Sequence, residues 1–402
     1  MPPGIVKDWQ LPSARRPSRS AALSKRAALG RGAGVGDNEI EAPLPCWIAV
    51  RSLLDQSPEQ LAAWLTDRGL PVYRAAQVRR WLFERRASDF EQMTDLPKPV
   101  RAALAEEFTL GTARIASHHR SADGTEKLLV ELHDGNRVEC VLLRDREKRT
   151  ICISTQVGCA MGCVFCASGL EGVVRNLTTG EIVEQMLLLA RLLPREERLS
   201  HIVVMGMGEP LANLRNLLPA LTQAASMQGL GISARRITVS TVGLPEGIRA
   251  LAAENVPYHL AVSLHAPDDE LRNRLVPVNR NVGIAAILDA ADDYFRATGR
   301  RLTFEYVLLA GLNDGVEHAR RLAGLLRART ALLNVIPFNP VSGLPYKTPS
   351  DAALARFVAA VEQGGVPVKV RRRRGDAIDA ACGQLRRSAA DLTQPVTLQP
   401  VR

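Results

Sequence analysis

The sequence predicts an α/β protein whose larger part is a parallel sheet closed or half-closed into a barrel. The first observation is an alternation of strand-like and helix-like segments from about residue 150 to 372, which is typical of such sheets. The second is the composition, because 402 residues with 46% hydrophobic and 23% charged side chains describe a globular protein of two or three domains. In such barrels the chemistry lies at the carboxyl ends of the strands, so residues that follow each strand are candidates for a site.

The chain begins with a basic extension, residues 1–45. This stretch is rich in Arg, Ser, Ala, Gly and Pro and shows no sustained hydrophobic period, so it is predicted to be mobile. An organellar transit peptide is the alternative, because the start is rich in Arg and Ser and poor in acidic residues.

A helical accessory domain is predicted over residues 50–118. Ser57 and Gln60 form the pattern of a capping box, with Pro58 at the first helical position. The predicted helices begin at Ser57, cover 75–86, and run from about Lys98 to Phe108. The second helix is expected to present arginines on its outer face: Arg79, Arg80, Arg85 and Arg86. Such a face is either an RNA-binding surface or a solvated one.

Strands follow the helical domain. Residues 119–149 predict a β-hairpin, in which Lys127–Leu132 and Arg137–Leu143 flank the turn dipeptide Asp134-Gly135. The barrel is predicted over 150–372 and a C-terminal segment over 373–402. Its strands are expected at 150–155, 201–206, 236–241, 258–264, 302–308, 331–337 and 366–371, with helices near 178–193, 212–228, 283–298, 314–327 and 350–363.

The net charge of +10 is concentrated at the two ends of the chain. Residues 1–36 hold seven Lys and Arg against one acidic residue, and residues 366–402 hold eight against three. A polyanionic partner would explain this placement, with Arg371–Arg374 as candidate phosphate contacts; a solubilising surface is the alternative. No apolar run reaches the roughly 18 residues of a membrane span, and no signal peptide is recognisable, so a cytoplasmic protein is predicted.

Three of the seven cysteines are clustered. Cys159, Cys163 and Cys166 form a C-x3-C-x2-C loop directly after the first predicted barrel strand. Three thiolates at this spacing predict a tetranuclear iron–sulfur cluster with one iron free of protein ligands. The alternatives are a zinc knuckle completed by a fourth ligand, or three buried thiols, but no second C-x2-C pair is present.

This loop resembles the signature of the radical S-adenosylmethionine (SAM) superfamily, which lies on a partial (β/α)6 barrel. The resemblance implies a [4Fe-4S] cluster on the three cysteines and SAM bound to the open iron. The run Met205-Gly206-Met207-Gly208-Glu209-Pro210 follows the second strand and matches the superfamily's GEP motif. Gly208 and Glu209 are therefore implied to contact the SAM amino group, since glycine admits close backbone approach and a carboxylate suits an ammonium.

From about residue 50 to 387 the chain resembles the RlmN/Cfr family of RNA adenosine methyltransferases, in the branch that methylates adenine C2. The similar stretches, besides the cluster and GMGEP loops, are Phe90–Asp95, Val138-Glu139, Val239–Gly243, Ser263–Ala266, Asn339-Pro340 and Asp379–Leu385. They cover most of the predicted fold in the family's order.

The resemblance implies two SAM molecules per turnover. One methylates Cys382 by polar transfer, and the second is cleaved to a radical that takes a hydrogen atom from the new S-methyl group. The resulting carbon radical adds to the adenine ring, Glu139 serves as the base, and Cys152 resolves the protein–RNA adduct by forming a disulfide with Cys382. The resemblance also implies SAM contacts from Ser240, Ser263, Leu264, His265 and Asn339.

The implied substrates are 23S rRNA at the peptidyl-transferase adenosine and the tRNA adenosine 3′ to the anticodon. A flavodoxin-like electron donor or a thiol reductant is expected as a partner, and the chain is expected to be a monomer. The alternatives are a Cfr-like reaction at adenine C8 and a zinc-stapled RNA-binding module without catalysis. From the residues alone, Cys152 is predicted to be a small buried hydrophobic residue, because that is the commonest environment of a free cysteine. Cys46 and Cys140 are predicted to be structural.

Overall fold

The computed structural model describes residues 51–371 and 374–386. These residues belong to one compact unit, Ala49–Arg402. The predicted extension 1–45, Cys46, Arg372 and Arg373 lie outside the described residues, as do residues 387–402.

The first described part is helical, as predicted. Its helices are α1 (Pro58–Thr66), α2 (Arg74–Arg79), which continues into a π-helical turn at Arg80–Glu84, and α3 (Lys98–Glu107). Two short parallel strands, β1 (Arg51–Ser52) and β2 (Phe108–Thr109), join the beginning and the end of this part. The capping box predicted before α1 is confirmed. The Gln60 backbone N–H donates to Ser57 Oγ at 3.2 Å, and the Ser57 backbone N–H donates to Gln60 Oε1 at 2.7 Å.

The prediction that all four arginines of the second helix face outward is wrong for two of them. Arg79 is buried, and its guanidinium lies 4.9 Å from the Phe83 ring centroid. Its long aliphatic stem and the cation–π contact make this burial possible. Arg86 donates to the backbone oxygens of Leu193 (2.8 Å) and Pro194 (3.2 Å), so it joins the helical part to a segment of the predicted barrel.

A ten-stranded sheet forms the rest of the framework. In chain order its strands are β3 (Arg114–Arg120), β4 (Glu126–Glu131), β5 (Arg137–Asp145), β6 (Lys148–Cys152), β9 (His201–Val204), β10 (Ile237–Thr241), β11 (His259–Ser263), β12 (Leu302–Leu308), β13 (Ala331–Pro337) and β14 (Val368–Val370), while β7 (Gln156–Gly158) and β8 (Val173–Asn176) form a small antiparallel pair. The spatial order is β14-β13-β12-β11-β10-β9-β6-β5-β4-β3. Strands β6 and β9 to β14 are parallel, and β3 to β6 pair in antiparallel fashion.

The predicted hairpin is confirmed, but it is not a separate extension. Strand β3 adds to one side of it and β6 to the other, so the hairpin continues the barrel sheet. Both of its faces are covered, because the neighbouring residues Glu139 and Cys140 of β5 are both buried. The predicted alternation therefore directs these two side chains into two different buried layers rather than into a core and solvent.

Seven helices accompany the described parallel strands. They are α4 (Thr179–Ala190), α5 (Leu214–Ala225), α6 (Pro245–Ala253), α7 (Asp269–Leu275), α8 (Ile284–Thr298), α9 (Val316–Leu326) and α10 (Asp351–Gln363). Each predicted barrel strand and helix is present. The predicted bounds 302–308 and 331–337 match β12 and β13, and the other elements have shifted ends. Helices α6 and α7 were not predicted. In the described part of the chain, no helix combines the length and apolar character that a bilayer span requires.

Candidate active site

The cluster loop, residues 158–166, follows β7 at the carboxyl end of the sheet. Cys159, Cys163 and Cys166 are half-buried and line one cavity of about 150 Å³. Backbone bonds hold the loop on both sides: Cys159 N–H donates to the Gly172 oxygen at 2.9 Å and Val164 N–H to the Leu275 oxygen at 3.1 Å. The loop is therefore fixed mainly by its main chain, which leaves the three sulfur atoms free to bind a ligand.

Without a bound metal, the surroundings of the three cluster-loop thiols disfavour their ionised form. Burial raises the pKa of Cys159 to about 12, and burial together with the charges of the other two thiols raises the pKa of Cys163 well above its usual range. A metal centre reverses this preference, since a coordinating thiol is deprotonated outright. Among the described residues, no three His, Cys, Asp or Glu side chains are arranged around a point that would hold a single metal ion.

The GMGEP loop lines the same cavity as the cluster loop. Gly208 has a φ of +99°, and a Cβ at this position would lie 2.6 Å from the Gln156 side chain, so glycine is required there. The Glu209 carboxylate is buried and accepts the backbone N–H of Leu211 at 3.0 Å and that of Val242 at 2.8 Å. Glu209 thus joins its own loop to the end of β10, in addition to the predicted role toward an ammonium.

Serine and glutamate side chains of the next three strands, β10 to β12, lie around the cavity. Ser240, Ser263 and Glu305 all line it, and Ser240 Oγ lies 3.4 Å from Glu305 Oε2. Glu305 also accepts a hydrogen bond from Asn334 Nδ2 at 3.1 Å. The sequence analysis missed Glu305, although a signal was present: an acidic residue stands in the otherwise mostly apolar run of β12. Because residues from β9 to β13 line one cavity, the parallel sheet curves around it.

His265 is a buried, neutral histidine that lines the cavity. It lines the cavity at a φ of +62°, with its ring edge-on to Phe165 at a centroid distance of 4.9 Å. Burial lowers the pKa of His265 to about 3, and the nearby Arg272 charge acts in the same direction. Its Nδ1 accepts the Val307 backbone N–H at 3.1 Å, so Nε2 carries the proton.

Asn339 connects the cavity to the Cys382 segment, which we define as residues 374–386. Its Nδ2 donates to the Cys382 backbone oxygen at 2.9 Å, and both residues line the cavity. Asn339 Oδ1 is buried and has no hydrogen-bond partner among the described residues. A buried acceptor without a partner is costly, so this atom suits a donor group on a bound ligand such as the SAM amino group.

Three predicted site residues do not line this cavity. Leu264 is fully buried, and its backbone N–H donates to the Glu305 oxygen at 2.9 Å. Cys152 is buried in β6, where burial raises its pKa to about 12 and the Cys382 charge acts in the same direction. Glu139 is buried behind the Cys382 segment and accepts the Arg386 backbone N–H at 2.8 Å.

Lys127 is a second residue that the sequence analysis did not assign to the site. Its Nζ lies 2.8 Å from Glu139 Oε1 and donates to the Asp379 backbone oxygen at 3.2 Å. Burial raises the pKa of Glu139, and the Lys127 charge partly opposes this. The pair therefore connects the predicted base to the segment that carries Cys382.

The arginine run before Cys382 is divided between two environments. The Arg371 Nη1 atom lies 3.7 Å from Glu305 Oε1, and the residue lines a smaller cavity together with Cys382. The charge of Cys382 raises the pKa of Arg371, so the two groups are close. Arg374 lines the same smaller cavity, but its guanidinium binds Asp145 Oδ1 at 2.9 Å and the Arg144 oxygen at 2.7 Å.

The described residues fit an iron–sulfur cluster and SAM. Three soft sulfur donors lie on one wall, and a buried unpartnered acceptor, a neutral histidine and two serines lie on the others. Apolar side chains complete the cavity, among them Val242, Val307 and Ile336.

Comparison with known proteins supports this assignment. Residues 51–110 match the family described as "Ribosomal RNA large subunit methyltransferase N-terminal domain", and residues 153–323 match the radical SAM superfamily. Membership of that superfamily implies SAM and a [4Fe-4S] cluster as cofactors.

Relatives cover nearly the whole described chain. A protein of Rhodopirellula baltica named "Probable dual-specificity RNA methyltransferase RlmN" is 64% identical over 340 residues, which are 85% of this chain and 92% of that protein. A protein of the same name from Thermus thermophilus is 44% identical, over 88% of this chain and 97% of that protein. The crystal structure of a radical SAM methyltransferase from Sphaerobacter thermophilus is 43% identical, with a TM-score of 0.82 over 84% of this chain and all of that chain. The chain belongs to the RlmN family of radical SAM RNA methyltransferases.

Proposed function

We propose that this protein methylates C2 of an adenosine in 23S rRNA and also the tRNA adenosine 3′ to the anticodon, with the methyl group passing through Cys382. The observation that carries the proposal is the shared cavity: the cluster loop forms one wall, and Cys382 lies in the same lining. The names of the relatives support two RNA substrates, since both are called dual-specificity enzymes.

The cluster on Cys159, Cys163 and Cys166, together with SAM, supplies the methyl group and a radical capable of removing a hydrogen atom from an unreactive methyl. Around this cofactor, Gly208 and Glu209 are proposed to bind the SAM amino group, with the Asn339 Oδ1 atom as a further acceptor. Ser240, Ser263 and His265 would orient the rest of the molecule, and Leu264 would contribute only its backbone position.

Cys382 is proposed to act first. Its sulfur accepts a methyl group, so one SAM is consumed in polar transfer and a second in radical formation, which gives two per turnover. The cationic Arg371 side chain lines a smaller cavity together with this cysteine.

Cys152 and Glu139 are proposed to act after the new carbon–carbon bond has formed. Glu139 takes the proton from C2, and the unpaired electron that radical addition leaves on the adenine adduct would pass to the oxidised cluster. The Cys152 sulfur then attacks the Cys382 sulfur, which forms a disulfide and breaks the bond from that sulfur to the methylene carbon, and the carbon keeps the electron pair and gains a proton. A thiol reductant must return the two cysteines to their reduced state, and a flavodoxin-like protein is proposed to supply electrons to the cluster.

The remaining assignments concern the rest of the chain. Residues 50–118 are proposed as an accessory RNA-binding domain, 119–149 as a hairpin linker, 150–372 as the catalytic barrel, and 373–402 as the segment that carries Cys382. The extension 1–45 remains a predicted accessory. We propose a monomer in the cytoplasm, as the sequence predicts.

Product analysis tests the proposal. The anaerobically reconstituted protein is incubated with SAM, reductant and either a 23S rRNA fragment or tRNA, and the nucleosides are compared with 2-methyladenosine and 8-methyladenosine standards by mass spectrometry. We expect 2-methyladenosine in both RNAs. 8-Methyladenosine would assign the Cfr-like reaction instead. Stoichiometric zinc, no iron and no SAM cleavage would assign the zinc-stapled module, and product in rRNA alone would remove the tRNA activity.

A further inference from the structure

Arg272 is a buried cation for which the described fold provides no direct carboxylate partner. Its side chain is fully buried in α7, behind the cavity wall. Its Nε donates to the Leu264 oxygen at 3.0 Å and its Nη2 to the Ser263 oxygen at 2.9 Å. It also donates to the Val242 oxygen and to Asn279 Oδ1. All four of these acceptors are neutral oxygens.

A buried cation without a partner anion is expensive. The effective cost of removing an ion from water is several kcal/mol, and hydrogen bonds to neutral oxygens return only part of it. Burial lowers the pKa of Arg272 to about 10, which still leaves it charged at neutral pH. A positive charge is therefore buried here, and a nearby anion would offset part of its cost.

Two anionic groups face Arg272. One is Asp269, which is exposed and reaches the guanidinium through the Asn279 amide: Asn279 Nδ2 donates to Asp269 Oδ1 at 2.8 Å. The other is the centre that the cluster-loop thiolates would form, since Cys163 and Cys166 pack against the apolar cluster that contains Leu271 and Leu275 of α7. The cluster loop packs directly on this element, because Val164 N–H binds the oxygen of Leu275 in α7. The thiolate centre would therefore form next to the helix that carries Arg272.

We propose that Arg272 is the buried counter-ion of the cluster, and that its positive charge raises the reduction potential of the cluster. This inference rests on the proposed function, because it takes Cys159, Cys163 and Cys166 to hold that centre. Three thiolates give the centre a net negative charge, and reduction adds one more. A fixed cation stabilises the reduced state more than the oxidised one. Arg272 would thus be a positioning and electrostatic residue, not a catalytic one.

Potentiometry of the full chain tests this role. The protein is reconstituted anaerobically without SAM, and the midpoint potential is read from the electron paramagnetic resonance signal of the reduced cluster. Arg272→Met is expected to shift the midpoint to a more negative value. Arg272→Lys, which keeps the charge, is expected to shift it less. Arg274→Gln removes an exposed arginine from the same helix and serves as the matched control, with the wild-type midpoint.

Asp269→Asn is a second test, in which the midpoint potential is expected to shift in the opposite direction while the buried arginine is kept. The asparagine oxygen can still accept from Asn279 and from the Ile284 backbone N–H, so the local hydrogen bonds survive. Loss of the partly compensating charge is expected to shift the midpoint to a more positive value, by less than Arg272→Met shifts it, because Asp269 is exposed to solvent.

Two results separate the possible failures. If wild-type protein binds iron and forms 2-methyladenosine, but Arg272→Met with full iron content keeps the wild-type midpoint, the counter-ion role is overturned and the proposed function stands. If Arg272→Met does not fold, an unchanged or more negative midpoint in Asp269→Asn overturns the role. A wild-type chain that takes up no iron overturns both proposals together.

Discussion

The cluster loop and the Cys382 segment meet at one cavity, yet they are held in different ways. The cluster loop is anchored by main-chain hydrogen bonds to its neighbours, at Cys159 and at Val164. Among the described residues, the Cys382 segment has one main-chain hydrogen bond of this kind to a neighbour, from the Ala167 N–H to the Gly383 oxygen at 2.8 Å. It is held largely by side chains from distant parts of the chain: Asn339 to the Cys382 oxygen, Ser168 to the Leu385 oxygen, Glu139 to the Arg386 amide, and Lys127 to the Asp379 oxygen.

This difference matches what each region has to do. A cluster ligand keeps one partner, and a loop fixed by its backbone keeps its sulfur atoms in place. In the proposed mechanism, Cys382 must meet SAM, the RNA base and Cys152 in succession. A segment held by single side-chain hydrogen bonds, each worth about 1 kcal/mol, can adjust locally without unfolding the barrel.

The largest expected effect comes from removing a cluster ligand. Cys163→Ala should lose bound iron and sulfide and all methyl transfer, to protein and to RNA, because both transfers use the cofactor in one cavity. Iron and sulfide analysis with a methylation assay measures this. Cys140→Ala removes a buried cysteine of the core and is the control that should retain the iron. Full iron content in Cys163→Ala would disprove the assigned ligand.

The second prediction separates the cluster loop from the Cys382 segment. Cys382→Ala should also lose methyl transfer to RNA, but it should assemble a complete cluster, since its thiol is not a ligand. No methylated protein should form, and no RNA-linked band should be seen on a denaturing gel with labelled RNA. A methylated Cys382→Ala protein would show that another residue accepts the methyl group.

Cys152→Ala should stop the reaction later. Cys382 should become methylated, and labelled RNA should then remain covalently attached to the protein, because the sulfur that resolves the adduct is missing. Nuclease treatment should shorten the linked band on a denaturing gel. Full turnover by this variant would contradict the role of Cys152.

The next effect is a shift in pH dependence at Glu139. Burial raises the pKa of this carboxyl and Lys127 partly opposes that, and a base works only above its pKa, so activity should rise with pH through that value. Lys127→Met removes the opposing charge and should move the acid side of the pH–rate profile to higher pH. Lys148→Met removes an exposed lysine of the same sheet as a control. An unmoved profile in Lys127→Met would remove Glu139 as the titrating base.

A smaller effect is expected at one anchor of the Cys382 segment. Ser168 Oγ donates to the Leu385 oxygen at 2.6 Å in a buried position. Ser168→Ala should weaken the segment by about 1 kcal/mol, which increases its opening by about fivefold. Amide hydrogen exchange over 374–386 measures this, with Ser226→Ala as a remote serine control. Equal protection in wild type and Ser168→Ala would mean that the anchor is not needed.

The smallest effect is expected at the partly exposed Arg374. Its ion pair with Asp145 should contribute at most about 1 kcal/mol, so Arg374→Gln should barely change the stability of the protein. If the predicted phosphate contact exists, RNA affinity should fall for every sequence and its salt dependence should flatten. Titrations at several salt concentrations distinguish these results.

Local patterns in the chain were enough to predict the order of the elements and much of the cavity. The β–α alternation predicted the parallel strands, and the C-x3-C-x2-C spacing predicted the cluster loop. The family resemblance, not a local pattern, assigned Ser240, Ser263, His265 and Asn339, all of which line the same cavity. The capping box of Ser57 could also be predicted from the sequence, because it depends on residues only three positions apart. The roles of Cys152, Glu139 and Cys382 came from family resemblance, not from spacing.

Which distant residues share an environment depends on the folded protein. Glu305 of β12 and Arg371, which follows β14, meet beside the intervening strand β13. Lys127 reaches the segment of Cys382 over 252 positions. Arg272 is buried behind two cavity residues, Val242 and Ser263. The same is true of the burial of Arg79 and of the hairpin that continues the sheet. Hydrophobic periodicity shows which face of a helix or strand is apolar. The burial and the charged neighbours of these side chains depend on the other elements that pack against that face. A local sequence pattern does not contain this information.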